Sequence, residues 1–159
     1  MKPADREAFK AAMRRFASGV TVVTTMLEGK PKGFTATAFC SVSVEPPMLL
    51  VCVNRSARSH PVIAQSGCFC VNILAREQEA LAVRFSSRSD DPFADIACSI
   101  ASTGAPVLDD TLAFFDCTLS EELSVETHTI FIGKVIACAS REGTPLGYYD
   151  GAYRNFGLS

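Results

Sequence analysis

The amino-acid sequence predicts a mainly β fold, a closed or partly closed β-barrel with a few flanking α-helices. Three observations predict it. Six or more short segments carry apolar or β-branched residues in strand-like patterns, turn residues punctuate them, and the helical segments seldom alternate with strands as a parallel α/β sheet requires. With 159 residues, 48% hydrophobic and 20% charged, the chain has the composition of one globular domain, 1–159, without a Pro/Gly/Ser-rich linker or an internal repeat.

The first element is helical. Phe9, Met13, Phe16 and Val20 recur at spacings of four, three and four, while Asp5 suits the N-cap and Gly19 the stop. The period then changes to two. Residues 20–26 are strand-like, 28–33 form a turn, and a second strand covers 34–44. In that strand Phe34, Ala36, Ala38, Cys40, Val42 and Val44 make one apolar face, and Thr35, Thr37, Phe39, Ser41 and Ser43 the other. Glu45-Pro46-Pro47 ends it, because proline has no N–H to give a ladder. Residues 48–53 are continuously apolar, the pattern of a strand buried on both faces.

A polar loop over 54–59 leads to a short helix with Pro61 in its first turn, Ser59 or His60 as cap and Gly67 as stop. Another strand covers 68–74, and Gln78, Leu81 and Phe85 mark one face of a further helix. Residues 86–95 form a charged loop suited to folding over something. Strands are expected near 97–103, 112–123 and 127–140, with turns at Gly104-Ala105-Pro106, Glu142-Gly143 and Asp150-Gly151, the last a tight hairpin.

Composition also excludes classes. A net charge of −2, from 15 basic and 17 acidic residues, supplies no general field for nucleic acid. No apolar run is long enough to span a membrane, and the N-terminus lacks the apolar core of a signal peptide, so a cytoplasmic location is expected. The seven cysteines are odd in number and mostly lie in apolar strand-like runs, so they read as small buried hydrophobes. Cys68-Phe69-Cys70 has the wrong spacing for a C-x-x-C site, and no metal is expected.

Neither a G-x-G-x-x-G turn nor a phosphate loop of the G-x-x-x-x-G-K-[ST] type is present, so a bound nucleotide needs another device. Thr35, Thr37, Ser41 and Ser43 offer small donors and acceptors on a rigid strand, and are equally read as a solvated face. The 54–59 loop brings two arginines and two serines to a helix start, which suits a phosphate and also suits plain capping. His128 and the tyrosines at 148, 149 and 153 admit structural roles as readily as a ligand-facing one. No nucleophile-elbow motif accompanies the two histidines, so no hydrolytic triad is assembled.

Several motifs recur in a familiar order: Phe16-Ala17-Ser18-Gly19-Val20-Thr21-Val22-Val23-Thr24, then Gly33-Phe34-Thr35-Ala36-Thr37-Ala38-Phe39-Cys40-Ser41-Val42-Ser43-Val44-Glu45-Pro46-Pro47. Cys52-Val53-Asn54-Arg55-Ser56, Gly67-Cys68-Phe69-Cys70-Val71-Asn72-Ile73-Leu74, Gly104-Ala105-Pro106-Val107-Leu108 and segments at 128–135 and 145–153 follow. Together they resemble the flavin reductase family of FMN-binding split-barrel proteins, the small reductase components of two-component aromatic hydroxylases.

The resemblance implies a split β-barrel of Greek-key type and an NAD(P)H:flavin oxidoreductase that passes hydride from NADH or NADPH to FMN or FAD, with a partner monooxygenase and a homodimeric state. It implies a flavin site made of Thr35, Ala36, Thr37, Ala38, Ser41, Ser43 and Cys52, a phosphate held by Asn54, Ser56, Arg58 and Ser59, and Phe85 against the cofactor. His128 would stand on the nicotinamide side as the candidate catalytic residue, with Tyr153 nearby, although Glu126-Thr127 precedes it where the family commonly has Gly-Asp. A non-catalytic flavin or haem carrier or sensor, or a reductase that retains its flavin for another acceptor, fits the same architecture.

Overall fold

The computed structural model describes residues 5–89 and 91–157, beginning with helix α1 (Arg6–Met13). Asp5 caps it, its carboxylate accepting the Ala8 N–H at 2.8 Å. The helix stops at Met13 rather than at Gly19, because Ser18–Gly19 is a short strand, β1, drawn into pairing with a C-terminal hairpin. Its apolar stripe faces outward: Phe9, Met13 and Phe16 are 62%, 51% and 69% exposed. Polar ties follow it, with Arg15 donating to Asp150 at 2.7 Å and lying over the Tyr149 ring.

Strands β2 (Thr21–Leu27) and β3 (Lys30–Ala36) form a hairpin about Glu28 and Gly29, whose positive φ values of 51° and 73° match a two-residue turn. The turn is therefore shorter than the sequence suggested, and residues 30–33 belong to β3. Next come β4 (Phe39–Val44), β5 (Pro47–Asn54), α2 (His60–Ser66), β6 (Cys68–Ile73), a 3-10 turn (Arg76–Gln78) and α3 (Glu79–Ser86). A small hairpin of β7 (Cys98–Ile100) and β8 (Pro106–Leu108) precedes a long one of β9 (Ala113–Val125) and β10 (His128–Ser140). Strands β11 (Leu146–Tyr149) and β12 (Ala152–Asn155) turn at Asp150-Gly151 as expected, and β1 pairs with β11.

Seven strands make one antiparallel sheet in the order β3-β2-β6-β9-β10-β5-β4. Laid flat, its edges would stand about 29 Å apart, six spacings of about 4.8 Å. Yet those edges, β3 and β4, are consecutive in the chain and joined through Thr37 and Ala38 alone, a link spanning at most about 11 Å from Ala36 to Phe39. The sheet must curl until its edges nearly meet, leaving a barrel with an open seam. The β5–α2–β6 connection passes over β10 and β9, a Greek-key step.

The single strand expected over 34–44 is thus two strands, and its alternation does not run through. Phe39 packs with Phe34 against the barrel core, while Val42 and Val44, expected on the apolar face, are exposed, Val44 at 90%. A bend at 37–38 and a register shift between Ser41 and Ser43 change the phase, and a one-residue change sends every later side chain to the other face.

Inside the barrel Val23, Val51, Val53, Phe69, Val71, Cys117 and Phe131 form the main core. A second cluster of Val20, Val22, Leu74, Ala82, Phe85, Leu108 and Leu146 lies on the other side of β2, beneath α3 and the C-terminal hairpin. Strands β2 and β6 of this sheet are consequently buried on both faces. Strand β5 is not: Leu49, Val51 and Val53 are buried, whereas Met48, Leu50 and Cys52 on its other face are half-buried.

A buried polar network fastens the β7–β8 hairpin to the barrel. Asn72 donates to the Val22 carbonyl and Thr24 hydroxyl at 3.1 and 3.2 Å, and accepts the Leu108 N–H at 2.9 Å. Asp116 accepts the Thr103 N–H at 3.0 Å and its hydroxyl at 2.5 Å. The cysteines divide: Cys68, Cys70 and Cys117 are buried, Cys52 is half-buried, and Cys40, Cys98 and Cys138 are exposed, which corrects the expectation of mostly buried thiols. Burial, helped by the Asp116 carboxylate, pushes the Cys117 thiol up to about 12. Among the described residues no helix is long and apolar enough to cross a membrane.

Gly133 lies at a tight point of the barrel interior. A Cβ there would stand 2.6 Å from Phe69 Cζ and 2.8 Å from Cys117 Cβ, so the backbone needs a glycine. Gly133→Ala is expected to destabilise the fold by about 1–3 kcal/mol, read as a lower urea midpoint; an unchanged midpoint would show that the interior yields.

Candidate functional site

A cavity of about 420 Å³ opens where three segments meet: β3, the loop between β5 and α2, and the end of α3 with the chain beyond it. The first wall is built by Asn54. Its side-chain oxygen accepts both the N–H and the hydroxyl of Ser56 at 2.8 Å, an Asx turn that reverses the chain as β5 leaves the sheet. The Arg55 N–H is held by the Thr127 carbonyl at 2.9 Å. The reversal brings Ser56, Ala57, Arg58 and Ser59 to the cavity, and Ser59 makes no side-chain cap bond to α2.

The second wall is a clamp of α3 on β3. The Thr35 hydroxyl donates to the Ala82 carbonyl at 2.6 Å, and Phe85 lies so close to Gly33 that a Cβ there would meet its Cε1 at 2.9 Å. Phe93 packs edge-on against Phe85 at 5.0 Å. Beyond α3 the Ser86 and Ser87 hydroxyls donate to the Val83 and Arg84 carbonyls, satisfying acceptors that a helix end leaves open. Arg84 donates to the Ala94 carbonyl, so the 91–96 segment is pinned back against the helix.

Charge at the cavity is one-sided. Lys32, Arg58 and Arg88 line it, and none of the described lining residues is acidic. Phe34, Phe85 and Pro92 supply apolar wall beside them. Cations with serine hydroxyls and aromatic surface suit an anionic, partly aromatic ligand of the nucleotide kind.

Of the residues singled out from the sequence, the structure brings Ser56, Arg58, Ser59 and Phe85 to this cavity. Thr35 faces α3, Ala36 is in the barrel core, and Thr37 and Ala38 form the seam. Ser41 and Ser43 lie on the β4 edge, while Cys52 and Asn54 lie on β5. His128 starts β10 opposite Asn54, its Nδ1 2.9 Å from the Thr127 hydroxyl. The other histidine, His60, is spoken for by Thr129 at 2.7 Å and the ring of Phe131. Tyr153 sits edge-on to Tyr148 at 5.6 Å; burial raises its phenol pKa, and a hydrogen bond with Ser86, at the cavity rim, opposes the rise.

Lys32, Gly33 and Arg88 were missed as site residues. The Gly/Pro/Lys pattern over 28–33 places Lys32 and Gly33 in a turn rather than a strand, which hides their proximity to Phe85. The signal for Arg88 was its setting, Ser86-Ser87-Arg88-Ser89, which repeats the arginine-and-serine chemistry of the 54–59 loop.

Residues 13–157 match the Flavin reductase like domain family, and the chain belongs to it. Among curated relatives, the FMN reductase (NADH) RutF of Stutzerimonas stutzeri is 42% identical over 99% of this chain and 91% of its own. The reductase subunit HsaB of a flavin-dependent monooxygenase from Rhodococcus jostii is 39% identical over 94% of this chain and 77% of its own. Among solved structures, the Streptomyces globisporus NADH:FAD oxidoreductase SgcE6, in complex with NAD and FAD fragments, superposes with a TM-score of 0.91 at 32% identity, covering 99% of this chain and 96% of that one.

Thr35→Val removes the hydroxyl that ties β3 to α3 and keeps the side chain's shape. It is expected to cost about 1 kcal/mol and to speed amide exchange in α3 selectively; uniform or unchanged exchange would place the clamp elsewhere.

Proposed function

We propose that this chain is an NAD(P)H:flavin oxidoreductase whose cavity between β3, the β5–α2 loop and α3 receives the phosphate end of the flavin. One observation carries the reading: in a member of the flavin reductase-like family, this cavity of about 420 Å³ is lined by three cations and, among the described lining residues, by no carboxylate. Arg58 and Ser59 are the anion-binding pair of the β5–α2 loop, and Ser56 and Asn54 hold that loop in shape. Thr37, Ala38, Ser41, Ser43 and Cys52, along the seam and the β4–β5 edge, form a small-residue platform for the ring.

The flavin supplies an electrophilic N5 that takes hydride from the nicotinamide C4. The protein's part is to position two rings and keep water out, with no strong acid or base required. His128, with Nδ1 beside the Thr127 hydroxyl, would stand on the nicotinamide side. Reduced flavin would then serve a separate monooxygenase, as the role of the Rhodococcus relative, a monooxygenase reductase subunit, suggests. The protein acts as a cytoplasmic homodimer; the exposed apolar residues of α1 and β4 support a second copy.

Purified protein given FMN or FAD and then NADH is expected to bleach the flavin absorbance in stopped flow, whereas a carrier binds without bleaching. Arg58→Ala should weaken flavin binding by about tenfold, the loss of one charge-assisted contact. An unchanged dissociation constant would return the loop to a structural role.

A further inference from the structure

The cavity holds more cationic wall than one phosphate explains. Arg58 belongs to the β5–α2 loop, whereas Lys32 and Arg88 belong to a separate group: Lys32 precedes Gly33, Gly33 touches Phe85, and Arg88 follows three residues later. The volume of about 420 Å³ matches on the order of fourteen waters at about 30 Å³ each, far more than a five-atom phosphate fills. The nearby hydroxyls of Ser86 and Ser87 are committed to α3 carbonyls, which leaves Lys32 and Arg88, with the neighbouring Ser89, as the anion-binding side chains of this part. Phe34 and Pro92 add apolar surface of the kind a purine packs on.

Resting on the flavin reading above, we infer that Lys32 and Arg88 are specificity-determining residues that bind the second phosphate of a flavin dinucleotide, so that the chain selects FAD over FMN. Arg58 meets the phosphate common to both flavins. Lys32 and Arg88 meet the one that only the dinucleotide carries, and the remaining volume receives part of its adenosine.

The test is equilibrium binding of FMN and FAD to the full chain and to Lys32→Ala, Arg88→Ala and Arg58→Ala, with steady-state NADH and NADPH oxidation beside it. Wild type should bind FAD at least about tenfold tighter than FMN, and Lys32→Ala and Arg88→Ala should each weaken FAD by about tenfold while leaving FMN within about twofold. Retained FMN binding then also shows that the variants are folded. Arg58→Ala should weaken both. Equal affinity of wild type for the two flavins, or equal losses for both in the Arg88 variant, overturns the inference while leaving flavin reduction standing. A loss seen only in the KM for NADPH would assign the two cations to the nicotinamide nucleotide and also overturn it. Binding of neither flavin would remove the functional reading itself.

Discussion

Everything in this molecule hangs on a two-residue link. Thr37 and Ala38 join strands at opposite edges of a seven-stranded sheet, and a chain that short forbids the sheet from lying open. Closure creates an inside, filled by Phe69, Phe131 and the valines of β2, β5 and β6, and it makes Gly133 indispensable where β10 passes over Phe69. The seam left where the edges approach without pairing exposes small residues in a barrel wall otherwise filled with large ones.

The candidate site is a second consequence of curvature. Because β3 is an edge strand on a closing sheet, α3 can lie against its outer side, with Thr35 and Gly33 as the points of contact. That arrangement buries Phe85 in the second core and carries Arg88 toward Lys32. The β5–α2 loop arrives from the other end of the sheet order, turned by Asn54. Cations distant in sequence are therefore gathered on one cavity by packing that is mostly apolar. Their mutual repulsion is tolerated because the cavity is open to water and available to an anion.

Polar groups in the interior serve position more than chemistry. Asn72 and Asp116 each satisfy several partners, and they dock the β7–β8 hairpin over Cys70. The buried thiols of Cys70 and Cys117 are held protonated by the same burial, which makes them packing groups rather than nucleophiles. Hydride transfer between two bound rings needs such a rigid, unreactive frame.

Local chemistry was legible in the sequence wherever it acts over a few residues. Asp5 as a cap, the Asp150-Gly151 turn, the Pro61 helix start, the Gly67 stop and the two long strands β9 and β10 all follow from propensity and spacing, and the ordered motifs carried the family. What the sequence by itself did not determine is where each face looks. The alternation over 34–44 reads as one strand because a bend at 37–38 leaves no mark in a run of small residues, and only closure of the sheet reveals it. Phe9, Met13 and Phe16 have a perfect helical period and still face outward, since periodicity tells of a stripe and nothing of what covers it. Arg58 stood out within one loop, whereas Lys32 and Arg88 join it through contacts across the chain; only the tertiary structure, through the packing of α3 on β3, decided that they share a cavity.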